Sequence, residues 1–224
     1  HLEDEPVDIK HYNQIGTMRE ALSNHAEEAY NELETPRKKE ICELVFKELT
    51  DRGSNAQGIR RPTKFAVLVS RTEAGPEEVS EIIEVFRKPG RSFLMPPEGT
   101  PLDGDTVIDI SHESLMRIWK RLIRWVDEEG KSAENYLRLA EAAALYQQGK
   151  IGLWRDPELQ IASDWYQRSR PNEIWARRYD PSFERAIAFL QHSKEQQDFE
   201  IAKKEKQQRA RLRSARVFAI IISS

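Results

Sequence analysis

The chain has a single cysteine, Cys42, among 224 residues. It therefore lacks the thiols for a disulfide framework or a cysteine-based metal site, and an intracellular setting is the natural expectation. No signal peptide is visible. The apolar run Val217–Ile222 holds six residues, whereas a membrane span needs about twenty. Enzyme motifs are missing as well. There is no GxxxxGK[ST] phosphate loop, no GxGxxG after a strand, no HExxH, and no PCxxC to accompany His112-Glu113. Each of these supplies phosphate-cradling amides, metal ligands or a general base at fixed spacing, so without them the chain is expected not to be an enzyme on its own. Asp127, Glu128 and Glu129 are consecutive carboxylates, but successive helical positions point in different directions, and a solvated face is expected there.

What is present is charge and helical periodicity. With 33% charged, 38% hydrophobic and 8% aromatic residues, the chain suits one or two small cores under a polar surface. It begins at His1 rather than Met and reads as a piece of a longer protein. Its most informative stretch is Val107–Trp125. Val107–Ile110 is a β-branched run suited to a half-buried strand. Ser111 is placed to cap a helix that starts at His112 or Glu113, with Glu113 adding negative charge to the first turn. Leu115, Ile118, Trp119, Leu122, Ile123 and Val126 then recur at the spacing of one buried helical face, with Lys120, Arg121, Arg124 and Asp127 opposite. His112 thus stands at a strand-to-helix junction, where backbone donors attract anions. The alternative is a capping or packing histidine without a ligand.

Taken in order, Thr17–Leu33 is an amphipathic helix, and Thr35-Pro36 opens another that turns Ile41, Leu44, Val45 and Leu49 inward beside Cys42. Gly53–Gly58 reads as a loop. Arg60–Thr63 is a short extended piece, Lys64–Ser70 a brief helix, and Pro76 starts a helix with Val79, Ile82, Ile83 and Phe86 on one face. Arg91–Met95 and Thr106–Ile110 are paired strands around the loop Pro96–Gly104. Helix, short strand, helix, helix and hairpin is the order of a winged helix-turn-helix. The would-be recognition helix carries Glu77, Glu78, Glu81 and Glu84 against Arg87 and Lys88, and its wing adds Glu98, Asp103 and Asp105. Phosphate binding needs the reverse balance, so nucleic acid is an unfavoured partner.

Past Glu129-Gly130 the sequence becomes a run of helices: Ala133–Gln148, then Pro157–Ser169 capped by Asp156, then a helix from Ser182 after Asp180-Pro181. Pro171–Tyr179 is a connector, and Trp154, Trp165 and Trp175 read as packing residues. The last helix loses its apolar face after Phe199. Lys203, Lys204, Lys206, Arg209, Arg211, Arg213 and Arg216 against Glu205 give Lys203–Arg216 a charge of +6, so with −3 overall the remainder carries −9. This tail reads as the flank of a membrane helix, as a solvated helix leading to another domain, or, third, as a nucleic-acid arm. The last is weakened by the lack of interleaved aromatics.

The segment IDISHESLMRIWKRLIRWVDEE at Ile108–Glu129 resembles the one that closes the winged-helix domain of bacterial STAND NTPases, which are signalling ATPases related to apoptotic and NLR switches. ALSNHAEEAYNEL at Ala21–Leu33, RRPTKF at Arg60–Phe65 and GRSFLMPP at Gly90–Pro97 are similar to that family in order and spacing, over about Thr17 to Gln148. DPELQIASDW and YDPSFERAIAFLQHS further resemble its helical arm. The resemblance implies that His112 matches the histidine of the family's MHD motif, which contacts the β-phosphate of ADP, with Ile110-Ser111-His112-Glu113 in place of the literal letters. It also implies an ATPase core upstream that carries ADP or ATP with magnesium, a repeat-type sensor downstream, and oligomerisation on activation.

The resulting expectation is a mainly α chain: a winged helix-turn-helix with a small β-hairpin wing, an N-terminal helix, and a C-terminal helical arm ending in a long basic helix. The expected divisions are 1–34, the end of a helical domain that comes after the NTPase core; 35–130, the winged helix; 131–202, the arm; and 203–224, the basic helix and apolar segment. The expected role is a non-catalytic regulatory module that docks on an NTPase domain, with Ser111 and Glu113 supporting His112 as nucleotide sensor. The alternatives are a DNA-binding regulator and a structural membrane-proximal linker. Cytoplasmic location is expected, with membrane association through the tail kept open.

Overall fold

Thr35 and Pro36 begin the helix that the first half packs around. The Thr35 hydroxyl accepts from the Lys38 amide at 3.2 Å, and Pro36 occupies a position whose N–H has no helical partner. In this computed structural model residues 18–52 and 58–222 are described. Of the expected Gly53–Gly58 loop, residues 53–57 lie outside the described residues, as do the side chains of Arg216 and Val217–Ile222. The chain is mainly helical with small antiparallel sheets. It divides into two compact units between Lys131 and Ser132.

The first unit contains α1 (Met18–Asn31), α2 (Pro36–Glu48), β1 (Thr50–Arg52), β2 (Gly58–Arg60), β3 (Thr63–Lys64), α3 (Phe65–Thr72), α4 (Pro76–Arg87), β4 (Leu94–Met95), β5 (Val107–Ile110) and α5 (Ser114–Ile118). It also contains the start of α6 (Lys120–Gln147). β5 is central in a three-stranded antiparallel sheet of order β3-β5-β4, with Thr63 opposite Ile108 and Leu94 opposite Ile110. A helical domain with a small β wing is therefore present. Several local expectations need correction. The residues flanking the expected loop are themselves strands, since Thr50–Arg52 pairs with Gly58–Arg60. The strand expected over Arg91–Met95 shortens to Leu94–Met95, because Gly90 at φ 81° and Ser92 at φ 45° turn the chain before it. Ser111 does not cap a helix: its amide donates to the Phe93 carbonyl at 3.0 Å and its hydroxyl to the Ser92 carbonyl at 2.5 Å, so it continues the sheet.

A fourth concerns the helix expected from His112 onward, which is two helices. Trp119, at φ −72° and ψ 103°, is extended between α5 and α6. The break resets the helical phase of α6. Trp119, Leu122, Trp125 and Val126 are buried, while Ile123, expected inside, is 42% exposed. Trp119 and Trp125 meet edge to face at 5.4 Å, and Trp119 also packs against Phe46 at 5.1 Å. α6 then continues helical through Gly130, where the chain was expected to break. A Cβ at this position would collide with the Arg52 side chain, so glycine is what lets Arg52 cross the helix. Glu129 is buried, so the expected solvated face does not extend to it.

Arg87 is the most fully buried cation described, at 1% exposure. Its Nε donates to the Pro96 carbonyl at 2.6 Å, Nη1 to Glu84 at 2.6 Å, and Nη2 to the carbonyls of Pro97 and, at 2.8 Å, Thr100. One guanidinium thus fixes the loop after β4 to the end of α4. Nearby, Arg91 and then Lys88 donate to Glu32, which holds that carboxyl down to about 2.

The second unit is formed by the rest of α6, α7 (Glu158–Ser169), α8 (Glu173–Ala176) and α9 (Phe183–Ile222). Tyr136, Leu139, Trp165, Trp175, Phe189 and Leu190 form its core. The alanines of α6 leave room for the aromatic rings, and two of those rings carry polar ends that find partners. Tyr136 donates to the Asp180 carbonyl at 2.6 Å and Trp165 Nε1 to the Ser132 hydroxyl at 2.7 Å. Asp156 does not cap α7. Its carboxylate accepts from Gln197 at 2.8 Å, and Pro157 stands at the cap. No described helix is long and apolar enough to cross a membrane.

Replacing Arg87 with Met keeps the volume but strands the Pro96, Pro97 and Thr100 carbonyls. The expected result is a loss of about 2–4 kcal/mol in urea unfolding of the chain.

Candidate functional site

β5 and the turn after it hold His112 from both sides. On the strand side Arg60 donates to the Asp109 carboxylate at 2.9 Å and to the Ile110 carbonyl at 3.0 Å, and Ser111 makes its two bonds to the Ser92–Phe93 backbone. On the helix side the His112 carbonyl accepts from the Leu115 amide at 3.0 Å. The imidazole itself is exposed, and among the described residues it has no hydrogen bond or ion pair. The backbone is fixed and the ring faces solvent. Glu113 also faces solvent, paired with Arg117 at 2.6 Å, so its charge is directed along α5 rather than toward the imidazole. The helix behind His112 has only five residues, so its dipole adds little for an anion.

The basic residues Lys203, Lys204, Lys206, Arg209, Arg211 and Arg213 all lie exposed on α9 in the second unit, and the side chain of Arg216 lies outside the described residues. They belong to a different unit from His112. Among the described residues no group of three or more His, Cys, Asp or Glu side chains is placed to hold a metal ion.

A groove of about 550 Å³ lies between α1 and the α5–α6 break, lined in part by Ser23, Asn24, Arg117, Ile118, Lys120 and Arg124. Its inner wall is an ion pair that sequence reading missed. Arg121 donates to both Glu27 oxygens, with Nε at 3.0 Å, and Trp119 Nε1 donates to the same carboxylate at 3.0 Å. The Arg121 guanidinium also lies 3.8 Å over the Tyr30 ring. Periodicity had placed Arg121 on the solvated side, and the break at Trp119 turns it inward. Glu27 and Arg121 are 94 residues apart, and nothing in a single sequence pairs them.

A family model described as Novel STAND NTPase 1 matches residues 1–151, more than half of the chain's 224. The chain belongs to this STAND NTPase family. No curated protein and no solved structure matches it. Both His112 and the groove fall in the part of the STAND chain that the family match covers, whereas α7, α8 and α9 lie wholly beyond it.

Arg121, through its hydrogen bonds, is the main cause that lowers the Glu27 carboxyl below its usual 4.5, with partial burial acting in the opposite direction. A depressed folded-state value stabilises the fold above about 4.5, and this contribution is lost as pH falls through the folded value. Glu27→Gln should therefore cost about 1 kcal/mol near neutral pH, a figure discounted for solvent screening. The difference from wild type should shrink below about pH 4 when unfolding is followed by tryptophan fluorescence.

Proposed function

We propose that this chain is the regulatory, non-catalytic module of a STAND-type signalling NTPase, with the β-wing domain read as a winged helix that docks on an NTPase domain of the same protein. In this reading His112 reports bound nucleotide. The observation that carries it is the exposed imidazole, without a partner among the described residues, on a backbone pinned by Arg60, Ser111 and the first turn of α5. Such a group is pre-organised to donate to a phosphate oxygen. ADP or ATP with its magnesium would be bound mainly by the NTPase domain. His112 would supply one hydrogen-bond donor that favours the diphosphate state.

Differential contact with the two nucleotides is what gives a switch its bias. Exchange of ADP for ATP removes the His112 contact, releases the winged helix, and frees the helical arm so that the protein assembles and relays the signal to sensor and effector domains. A DNA-binding role is less well supported by α4. Of its two terminal cations Arg87 is buried and Lys88 is paired with Glu32 at 2.9 Å, so its exposed face is more acidic than the sequence suggested.

The test is to extract nucleotide from the full-length parent and size it, wild type against His112→Ala. One lost phosphate contact of about 1.5–3 kcal/mol predicts roughly ten- to a hundredfold weaker ADP retention and spontaneous assembly. Unchanged ADP content and unchanged size would reduce His112 to a surface residue at a turn.

A further inference from the structure

The outer part of α9 joins no core among the described residues. Every described side chain from Ile201 to Arg213 is exposed, including Leu212 at 55% and Ile201 at 47%, with Phe199 before them at 64%. A packed helix in a globular domain hides such residues, and a solvated one does not need them. Its charge is equally unusual. Lys203 and Lys206, Lys206 and Arg209, and Arg209 and Arg213 are neighbours three or four positions apart, and like charges at that spacing repel. The single acid within the cluster, Glu205, reaches Arg209 at 3.6 Å.

At roughly 100° per residue, Lys203, Lys206, Arg209 and Arg213 line one side of α9, and Lys204 and Arg211 lie nearly opposite that row, so that Ile201 and Leu212 fall between the two groups of cations. Ile201 and Leu212 fall away from Lys203. The helical backbone continues through Val217–Ile222, whose sequence is wholly apolar.

We infer that the outer part of α9, Lys203–Arg213, docks on an anionic phospholipid surface. Lipid headgroups neutralise the cations on both sides of Leu212 and relieve their mutual repulsion, while the boundary between them accepts the exposed Leu212 side chain. A nucleic-acid partner would satisfy the cations alone. The run from Lys203 to Arg216 contains no aromatic side chain on which a base could stack. The charge division gives this contact its place. The remainder of the chain, at −9, is repelled by the surface that attracts the +6 segment. The inference is independent of the role given to His112.

The test is sedimentation of the whole 224-residue chain with vesicles of phosphatidylcholine alone or with about one-third phosphatidylserine, at low and high salt. Two variants accompany it: K203Q/K204Q/K206Q, and Leu212→Ala. The expected result is binding only to the phosphatidylserine vesicles and loss at high salt. Each neutralised lysine should lower the partition coefficient about fivefold. Leu212→Ala should weaken binding severalfold while keeping its salt dependence. Thermal unfolding of each variant should match wild type, since none of these side chains is packed. Equal binding to both vesicle types, no binding to either, or preference for duplex DNA over the charged vesicles at the same ionic strength would overturn the inference.

Discussion

The first unit is held together by a cluster of aromatic rings at the level of Phe46. Phe86 and Trp119 stand edge to face with it, at 4.9 and 5.1 Å, Trp125 lies at 6.2 Å, and Tyr30 reaches Trp125 at 5.7 Å. These rings come from α1, α2, α4, the α5–α6 break and α6, so one cluster joins most of the helices. Rings of this size bury large apolar areas and prefer such offset geometries. The break at Trp119 is the condition for it. Residues 119 and 125 diverge on a continuous helix, and one extended residue allows both indoles into the same core.

The polar groups of this unit are arranged around that core and fix what leaves it. Arg87 binds the loop after β4, Arg60 binds the end of β5, and Glu27 receives both Arg121 and the Trp119 indole. Asp103 accepts from the Asp105 and Thr106 amides, which turns the wing back into β5. The acids of the wing are thus partly committed to local structure: Asp103 shapes the turn and Asp105 pairs with Lys64 at 2.8 Å. Against this fixed frame the His112 side chain is exposed and bonded to none of the described residues. That contrast is the physical basis for reading it as a contact to another domain.

Much of the fold was legible because its signals are local. Thr35-Pro36, Pro76 and the Val107–Ile110 run set element starts within a residue or two, and the face Val79, Ile82, Ile83 and Phe86 is buried as its spacing requires. The errors lie where a distant partner overrides local pattern. Ser111 has cap chemistry, but Ser92 and Phe93 draw it into the sheet. Leu115 to Val126 has helical spacing, but the aromatic cluster breaks it. Gly130 looks like a terminator, and an arginine on β1 is the reason for it. The candidate site shows the same division. His112 could be singled out from its position between strand and helix and from its family likeness, whereas the groove walled by Glu27 and Arg121 depends on two segments that only folding brings together.

Cys42 carries a practical consequence. It has no exposed surface, and burial pushes its thiol well above the ordinary range, so an alkylating reagent reaches a reactive thiolate only when α2 leaves the core. It is also the chain's only thiol, and it lies in the first unit. Labelling kinetics therefore clock the opening of that unit alone and are blind to the second, which lets a bulk chemical reaction read the local stability of one half of the molecule by itself.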